Sequence, residues 1–391
     1  MSDFVFNTTP SIRQINGGAS KLGEIVDSLP SVSQASEVMF VTDPGIIKLG
    51  LAEKALANLK KCGFQVTVFD KVEPDPKVST VMEAVEIAKS QKCTCIIGFG
   101  GGSPMDVAKI IALLVNSEQP LDKMFGVNQV TGTRLPLVLV PTTAGTGSEV
   151  TAVSILTTGT AEKKGVVSPI ILPDIALLDA DLTISLPAYI TAATGVDAMV
   201  HAIEAFTSRS ANNNPISKML AKQALGLLGA NIREAVSNGS NKETRANMLL
   251  GSMLAGQAFA NSPVAAVHAL AYPIGSQFHV PHGLSNALVL VEVMRFNATE
   301  CSTEYAELAP IVFPAIDTDQ SSQAITAEFI EKLGELNIEL GLESGLQHVG
   351  IAKTDIPKLA SDAMNQTRLL VNNPKEVTLE DAVQIYEASL A

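Results

Sequence analysis

The chain has 391 residues, with 27 Lys and Arg against 40 Asp and Glu, which gives a net charge of −13. This length suits about two domains of ~150 residues each. Nucleic acids and anionic membranes attract cationic surfaces, so the negative charge argues against either as a partner. The N-terminus lacks the charged start and apolar run of a secretory signal, and no apolar stretch reaches the ~18 residues of a membrane span. We therefore expect a cytoplasmic protein.

The first half of the chain alternates short apolar runs with amphipathic helical patterns. Strands are predicted at 38–42, 65–69, 94–100, 135–140, 152–157 and 175–179. Helices are predicted between them at 51–63, 81–91 and 105–115. Near-continuous apolar strands separated by amphipathic helices are typical of a parallel sheet that is buried on both faces.

From Pro187 onward the composition changes to long stretches rich in Ala, Leu and Met with helical spacing. Such stretches cover 187–207, 216–236 and 244–261, and strand-like runs are few. We place a domain boundary near residue 185. The prediction is an α/β domain over 1–185 and a helical domain over 186–391.

Histidines are scarce, with five in the chain, and four of them are grouped with an aspartate. Asp197 and His201 are four residues apart and share one face of a predicted helix; His268, His279 and His282 follow in a segment broken by Pro and Gly. One carboxylate and three imidazoles suit Fe(II) or Zn(II), which polarise oxygen atoms. A solvated Asp–His ion pair would give the same helical spacing, and spacing alone does not distinguish His279 from His282 as a ligand.

A glycine-rich turn, GFGGGSPMDVAK (98–109), joins a predicted strand to a predicted helix. Its backbone N–H groups and the helix N-terminus can hold a pyrophosphate. Gly98 and Gly100 fit the G-x-G-x-x-G pattern, but Ser103 occupies the third glycine position. The alternative is structural, since Ser103 and Asp106 also suit helix capping.

A second loop, PTTAGTGSE (141–149), follows another predicted strand. Its hydroxyls come from Thr142, Thr143, Thr146 and Ser148. Two such loops at the carboxyl ends of parallel strands indicate a ligand site, because open α/β sheets bind ligands at that edge. Asp43, which follows the first strong strand, can accept hydrogen bonds from a ribose and would repel a 2′-phosphate. That favours NAD over NADP.

Four motifs, in order, resemble those of the iron-containing (group III) alcohol dehydrogenases, which include lactaldehyde/propanediol oxidoreductases. They are GGGSPMDVAK, PTTAGTGSEVT, LPAYITAATGVDAMVHAIEAF and VHALAYPIGSQFHVPHGLSNA, and the similarity runs over roughly 10–390. The resemblance implies a dehydroquinate synthase-like fold: an α/β N-terminal dinucleotide-binding domain, an all-α C-terminal metal-binding domain and a metal in the cleft between them. It also suggests a homodimer.

The resemblance further implies the site residues. The metal ligands would be Asp197, His201, His268 and His282, with His279 outside the set. Residues at the NAD cofactor would be Asp43 near the adenosine ribose, Gly101, Gly102 and Ser103 at the pyrophosphate with Asp106 in the same motif, and Thr142, Thr143 and Thr146 along the cofactor. Lys164 and Leu182 are assigned to the cofactor by neighbourhood.

One position departs from the family pattern. Many members carry a second histidine four residues after the third ligand, near the nicotinamide, where this chain has Tyr272. Together with His268, Tyr272 is assigned a catalytic role. A phenol, with a pKa of ~10 against ~6.5 for imidazole, relays protons less readily at neutral pH. Tyr272 therefore serves either as a proton relay or as a wall of the pocket.

The expected function is an NAD-dependent alcohol dehydrogenase or aldehyde reductase for small primary alcohols or diols, with Fe(II), or Zn(II) as a substitute. The main alternative is a hydroxyacid–oxoacid transhydrogenase that holds its NAD tightly. A lyase like dehydroquinate synthase would need a Lys/Arg cluster beside the histidines, which the sequence lacks. A non-catalytic sensor is disfavoured because all four ligand candidates and both loops are present.

Overall fold

A computed structural model describes residues 3–159 and 162–391. The chain forms two compact units. One contains 7–143 and 147–184, and the other contains the chain up to Phe6, Ala144–Thr146 and Ser185–Ala391. Among the described residues, no helix combines the length and apolar character needed to cross a membrane.

The first unit is built on two sheets. Its strands are β1 (Ser11–Gln14), β2 (Glu37–Val41), β3 (Gln65–Phe69), β4 (Cys95–Gly100), β5 (Gly126–Val127), β6 (Leu137–Pro141), β7 (Val153–Thr158), β8 (Glu162–Val167) and β9 (Ile175–Leu178). The main sheet has the order β1-β9-β6-β4-β2-β3, and all its neighbouring strands are parallel. A smaller sheet has the order β5-β8-β7.

Helices cover both faces of the main sheet, which explains its apolar strands. The helices of this unit are α1 (Leu22–Asp27), α2 (Pro44–Lys48), α3 (Glu53–Lys61), α4 (Val78–Ser90) and α5 (Gly102–Val115). Successive residues of β2 enter opposite cores: Met39 packs in a cluster with residues of α4 and α5, and Phe40 in one with residues of α1 and α3. Because side chains alternate along a strand, burial on both sides requires every position to be apolar.

The six predicted strands are all present, and the sequence pattern missed β1, β5 and β8. β5 consists of Gly126 and Val127 alone, too short for a periodic pattern. β1, with the sequence SIRQ, has one large apolar residue and lies at the sheet edge, where Ile12 pairs with Ala176 of β9. β8 begins with three charged residues and pairs with β7 in the smaller sheet. The predicted strand at 152–157 therefore lies outside the parallel sheet.

The second unit is helical, and within its described residues from Ser185 onward no strand occurs. Its helices are α6 (Ala188–Thr207), α7 (Pro215–Ser237), α8 (Lys242–Asn261), α9 (Ala266–Phe278), α10 (His282–Val312, with non-helical backbone at Cys301), α11 (Ser322–Glu339), α12 (Ile356–Met364), α13 (Thr367–Leu370) and α14 (Leu379–Ala388). Asn214 and Asn241 cap α7 and α8 through backbone N–H groups of the first turn. The predicted fold class, a parallel α/β domain followed by an all-helical domain, is confirmed.

Candidate metal centre and nucleotide-binding edge

Helix α6 presents three buried acid and imidazole groups along one face. Asp197, His201 and Glu204 follow one another at spacings of four and three residues, and all are at most 5% exposed. A helix of 3.6 residues per turn places these positions in one row. Since isolated polar groups are costly to bury, this row requires partners from neighbouring helices.

The partners come from the starts of two other helices. His268 lies in the first turn of α9, and His282 is the first residue of α10. One ligand atom from each of Asp197, His201, His268 and His282 lies within 4.8 Å of the others. The Nε2 atoms of His268 and His282 are 3.9 and 3.6 Å from Oδ1 of Asp197. All four residues predicted as ligands are thus brought together.

His279 lies outside this cluster. It ends α9 in the left-handed conformation, with φ of 57°, and its side chain is exposed. Only Val280 and Pro281 lie between His279 and His282, and they carry the chain from one helix to the next. The geometry therefore groups His282, rather than His279, with the other three side chains.

Burial and charge favour a neutral imidazole beside an ionised carboxylate. Burial lowers the pKa of His201 to about 3, against the opposing charge of Asp197. For Asp197, burial alone would raise the pKa, but the imidazoles, His201 foremost, and the Asn286 amide hold it below its usual range. A neutral imidazole and a carboxylate are the forms that bind a metal ion.

A backbone carbonyl orients the ring of His201. Nδ1 of His201 lies 3.2 Å from the carbonyl oxygen of Gly145, so Nδ1 donates and Nε2 keeps its lone pair. A Cβ atom at Gly145 would lie 2.7 Å from Cβ of Thr194. Glycine therefore allows this carbonyl to approach the helix closely.

Two polar residues that sequence reasoning missed contact the cluster. Nδ2 of Asn286 donates to Oδ1 of Asp197 at 2.6 Å, and Glu204 accepts from Nδ1 of His268 at 2.6 Å. Asn286 follows His282 by four residues and Glu204 follows His201 by three. The same helical spacing that indicated the ligand pair could have identified both.

Aromatic rings border the cluster. Phe259 stacks on His201 with ring centroids 4.3 Å apart, and the Tyr272 ring lies 5.9 Å from that of His282. His282 is the accessible member, with 39% of its side chain exposed against 2% for Asp197. A small molecule would therefore reach the cluster from the side of His282 and Tyr272.

In the α/β unit, the predicted cofactor residues follow neighbouring strands. Asp43 follows β2, Gly101–Ser103 follow β4, and Thr142 and Thr143 follow β6. These strands are adjacent and parallel, so the residues lie at one sheet edge. The chain leaves β2 toward β3 and leaves β4 in the opposite direction, toward β6. This reversal is the switch point where open α/β sheets bind ligands.

At the glycine-rich turn, no side chain caps the N-terminus of α5. Gly101 is the N-cap, so the structural alternative, in which Ser103 and Asp106 cap this helix, is wrong. They lie inside the helix rather than before it. Gly100 has φ of 152°, and a Cβ there would lie 2.7 Å from Pro104. The first turn therefore keeps backbone N–H groups available to an anion.

Asp106 has both carboxylate oxygens in use within the unit. They accept from the Ser148 hydroxyl at 2.6 Å and from the backbone N–H of Ile155 at 2.9 Å. Its bonds connect α5 to the loop 141–149 and to β7. In the same region Thr142 donates its backbone N–H to Gly100 at 2.9 Å, which joins the two glycine-containing loops.

The three other residues assigned to the cofactor, Leu182, Lys164 and Thr146, differ in burial and in the unit to which they belong. Leu182, after β9, is buried in the apolar core with Leu177. Lys164 is an exposed residue of β8, with its ammonium 3.1 Å from Glu162. Thr146 is half-buried and belongs to the helical unit. Among these three, Lys164 offers a charged group at the surface.

Known proteins are similar to this chain over nearly its whole length. The family described as "Iron-containing alcohol dehydrogenase" matches residues 10–180, and "Fe-containing alcohol dehydrogenase family, C-terminal" matches 191–390. Long-chain-alcohol dehydrogenase 1 of Geobacillus thermodenitrificans is 38% identical, over 98% of this chain and 96% of the relative.

Two solved structures are similar over nearly their full length. A 1,3-propanediol oxidoreductase has a TM-score of 0.94 and 33% identity, covering 99% of this chain and 100% of that one. A sulfoacetaldehyde reductase from Bifidobacterium kashiwanohense, in complex with NAD+, has a TM-score of 0.85 and 29% identity, covering 99% and 98%. The resemblance drawn from the motifs is confirmed, and the chain belongs to the iron-containing alcohol dehydrogenase family.

Proposed function

We propose that this protein is an NAD-dependent, metal-dependent alcohol dehydrogenase that also reduces aldehydes, acting on small primary alcohols or diols. The observation that carries the proposal is the convergence of one carboxylate and three imidazoles, Asp197, His201, His268 and His282. None of the findings above favours the transhydrogenase alternative.

The residues present fit a divalent first-row ion. Nitrogen and oxygen ligands bind such ions at ~2.1 Å, so two ligand atoms on one ion lie up to ~4.2 Å apart. The spacings from Asp197 Oδ1 to the Nε2 atoms of His268 and His282, 3.9 and 3.6 Å, fall in this range. The donor set accepts Fe(II) and Zn(II) alike, and we assign Fe(II) as the native ion.

When bound, Fe(II) supplies Lewis-acid polarisation of an alcohol or carbonyl oxygen, and NAD supplies a hydride acceptor at its nicotinamide. The chain's own residues hold and shield these groups. We assign Gly101–Ser103 to the pyrophosphate, since the start of α5 offers backbone N–H groups. Asp43 is assigned to the adenosine ribose, and the Thr142 and Thr143 hydroxyls to the remainder of the cofactor.

Phe259 and Tyr272 are assigned to the substrate pocket because their rings border His201 and His282. Phe259 covers one face of an imidazole and limits the approach of water. Tyr272 adds a hydroxyl near the exposed ligand, so it either hydrogen-bonds the substrate and passes a proton or shapes the pocket. A replacement by Phe separates these roles, because it keeps the ring and removes the proton.

The test is oxidation of NADH with propanal, using protein that has been stripped of metal and reloaded with Fe(II) without oxygen. We expect turnover that requires the metal. Turnover that is equal in the stripped and reloaded protein, or absent although both metal and NAD bind, would overturn the proposal. In the latter case, NAD that remains bound after desalting would identify the transhydrogenase.

A homodimer, suggested by the family resemblance, is tested by light scattering.

A further inference from the structure

We propose that Glu204 is a positioning residue: it fixes the orientation and the protonated nitrogen of His268 and thereby sets the affinity of the site for its metal ion. This inference rests on the proposed function, since it assigns Glu204 a part in the same metal centre. Glu204 belongs to none of the residue sets that the sequence motifs indicated.

Both oxygens of Glu204 are used. The side chain is 5% exposed, and a buried carboxylate is tolerated only with strong partners. Oε1 accepts from the backbone N–H of Val267 at 2.7 Å, and Oε2 accepts from Nδ1 of His268 at 2.6 Å. The two donors are adjacent in the chain, so the carboxylate holds the His268 backbone and its ring at once.

These contacts determine which ring nitrogen carries the hydrogen. An ionised carboxylate only accepts, so Nδ1 of His268 is the donor. Nε2 then keeps its lone pair, and Nε2 is the atom that lies 3.9 Å from Oδ1 of Asp197. Without Glu204 either nitrogen could hold the hydrogen, and in one of the two forms Nε2 would be unable to bind an ion. A carboxylate on the far nitrogen also strengthens the imidazole as a ligand.

The same contacts locate the start of α9. Its N-cap, Ala265, has no side chain that can cap the helix, and the first N–H groups of a helix need acceptors. Glu204 satisfies Val267 from the neighbouring helix. Since Glu204 shares α6 with Asp197 and His201, one helix directly supplies two ligands and orients a third.

A structural role and a positioning role differ in what the loss of Glu204 changes. A purely structural residue would lower the stability of the metal-free protein and leave metal affinity unchanged once the protein has folded. A positioning residue changes metal affinity and the electronic spectrum of the bound ion. Glu204→Gln keeps the size but offers only one accepting oxygen to the two donors.

The matched control is Glu343→Gln. Glu343 accepts from the hydroxyl of Tyr189 at 2.8 Å, so it is also an acid bonded to a side chain of α6. Tyr189 lies two helical turns before Asp197, and neither residue belongs to the cluster. The same chemical change is therefore made on the same helix without touching a ligand.

The experiment measures the Zn(II) dissociation constant of each purified variant by competition with a chromophoric chelator. It is accompanied by the visible spectrum of the Co(II)-loaded protein and the unfolding temperature of the metal-free protein. For Glu204→Gln we expect 10- to 100-fold weaker Zn(II) binding, equivalent to about 1.4–2.7 kcal/mol, and altered Co(II) bands. Glu343→Gln should match the wild type in both. Unchanged Zn(II) affinity in Glu204→Gln would overturn the proposal.

If Glu204→Gln does not fold, a measurement on the wild type tests the hydrogen bond from His268 to Glu204 instead. The 15N–1H spectrum of the Zn(II)-loaded protein with labelled histidine should contain an Nδ1–H signal far downfield, as a short bond to a carboxylate requires; its absence would overturn the assignment. Failure of the proposed function is distinguishable from these results. A wild type that binds Zn(II) but, with Fe(II), turns over no aldehyde refutes the activity and leaves the affinity comparison valid.

Discussion

The ammonium group of Lys109 lies 2.8 Å from the hydroxyl of Ser148, in the buried interior of the α/β unit. Lys109 also donates to Thr151 at 3.0 Å and to the carbonyl of Val153 at 2.7 Å, and Asp106 lies 3.5 Å away. Burial lowers the pKa of Lys109, while the nearby carboxylates oppose that shift. Lys109 thus connects α5 to the end of the second glycine-containing loop and to the residues that follow it.

We expect Lys109→Met to destabilise the α/β unit by about 3–5 kcal/mol, because removal of one partner leaves a buried charge uncompensated. Asp106 would lose its cation, and the carbonyl of Val153 would lose its donor. Thermal unfolding of the NAD-free protein measures the effect, expected at roughly 10 °C. Lys123→Met is the control, since its ion pair with Asp122 is exposed and should change stability by less than about 1 kcal/mol. Similar shifts for the two variants would contradict the prediction.

The choice between His279 and His282 is tested by a pair of alanine variants. His282→Ala should weaken metal binding by more than about 100-fold, beyond the effect of losing a residue that only orients a ligand. His279→Ala should bind metal as the wild type does, because His279 is exposed and lies outside the cluster. Metal content after dialysis against a weak chelator reports both results. Retention of stoichiometric metal by His282→Ala would remove it from the ligand set.

Asp43 is predicted to set the preference for NAD over NADP. It also caps α2 by accepting from the backbone N–H of Ile46 at 3.0 Å, so replacement by Ala would mix a loss of charge with a loss of ~1 kcal/mol of capping. Asp43→Asn keeps the capping oxygen and removes the charge that repels a 2′-phosphate.

For Asp43→Asn we expect the ratio of kcat/KM for NADP to that for NAD to rise about tenfold or more. Two like charges ~4 Å apart near a protein surface repel by ~4 kcal/mol, which exceeds the ~1.4 kcal/mol of a tenfold change. The unfolding temperature should stay near that of the wild type. Asp122→Asn, at an exposed position of the same unit, is the control. A ratio that stays constant across all three proteins would separate Asp43 from cofactor choice.

Strands, helices and pairs of residues on one helix could be predicted from the sequence, because each depends on residues a few positions apart. Apolar strands buried on two faces and helices with one apolar face follow from such spacing, as in β2, β4 and α4. The pairing of Asp197 with His201 is of this kind, since both lie on α6. β8 was missed because its three charges contradict the apolar pattern; its residues pair with β7 at the surface, where charge is tolerated.

Contacts between helices that are distant in sequence could not be predicted from the sequence and were found only in the structure. Glu204 is three residues from His201 and Asp197 is four, yet the role of Glu204 depends on its contact with α9, which begins only at Ala266. His279 and His282 differ by three positions, and only the left-handed turn at His279 separates them. Such contacts depend on tertiary packing, so the spacing of residues in the chain does not encode them directly.

The last prediction concerns Glu149, a fully buried acid next to Lys109. Burial raises its pKa from 4.5 to about 7, although a backbone hydrogen bond and, to a smaller extent, the charge of Lys109 oppose that rise. Its Oε1 atom is buried without a hydrogen-bond partner. From about pH 4.5 to 7 the unfolded chain releases this proton while the folded protein keeps it. The contribution to stability is therefore full at low pH, is lost as the pH rises through about 7, and stays constant above that.

The rise of the Glu149 pKa from 4.5 to about 7 corresponds to ~3 kcal/mol. Glu149→Gln should remove this pH-dependent contribution because an amide does not titrate in this range. The variant's unfolding temperature relative to the wild type should therefore rise by several degrees between pH 5 and pH 8. Chelator is kept in excess, so that metal binding does not contribute. Any constant cost of the buried amide cancels in this comparison. Glu118 is an exposed acid of the same unit, so the unfolding temperature of Glu118→Gln should depend on pH as that of the wild type does. The same pH dependence in Glu149→Gln would contradict the raised pKa.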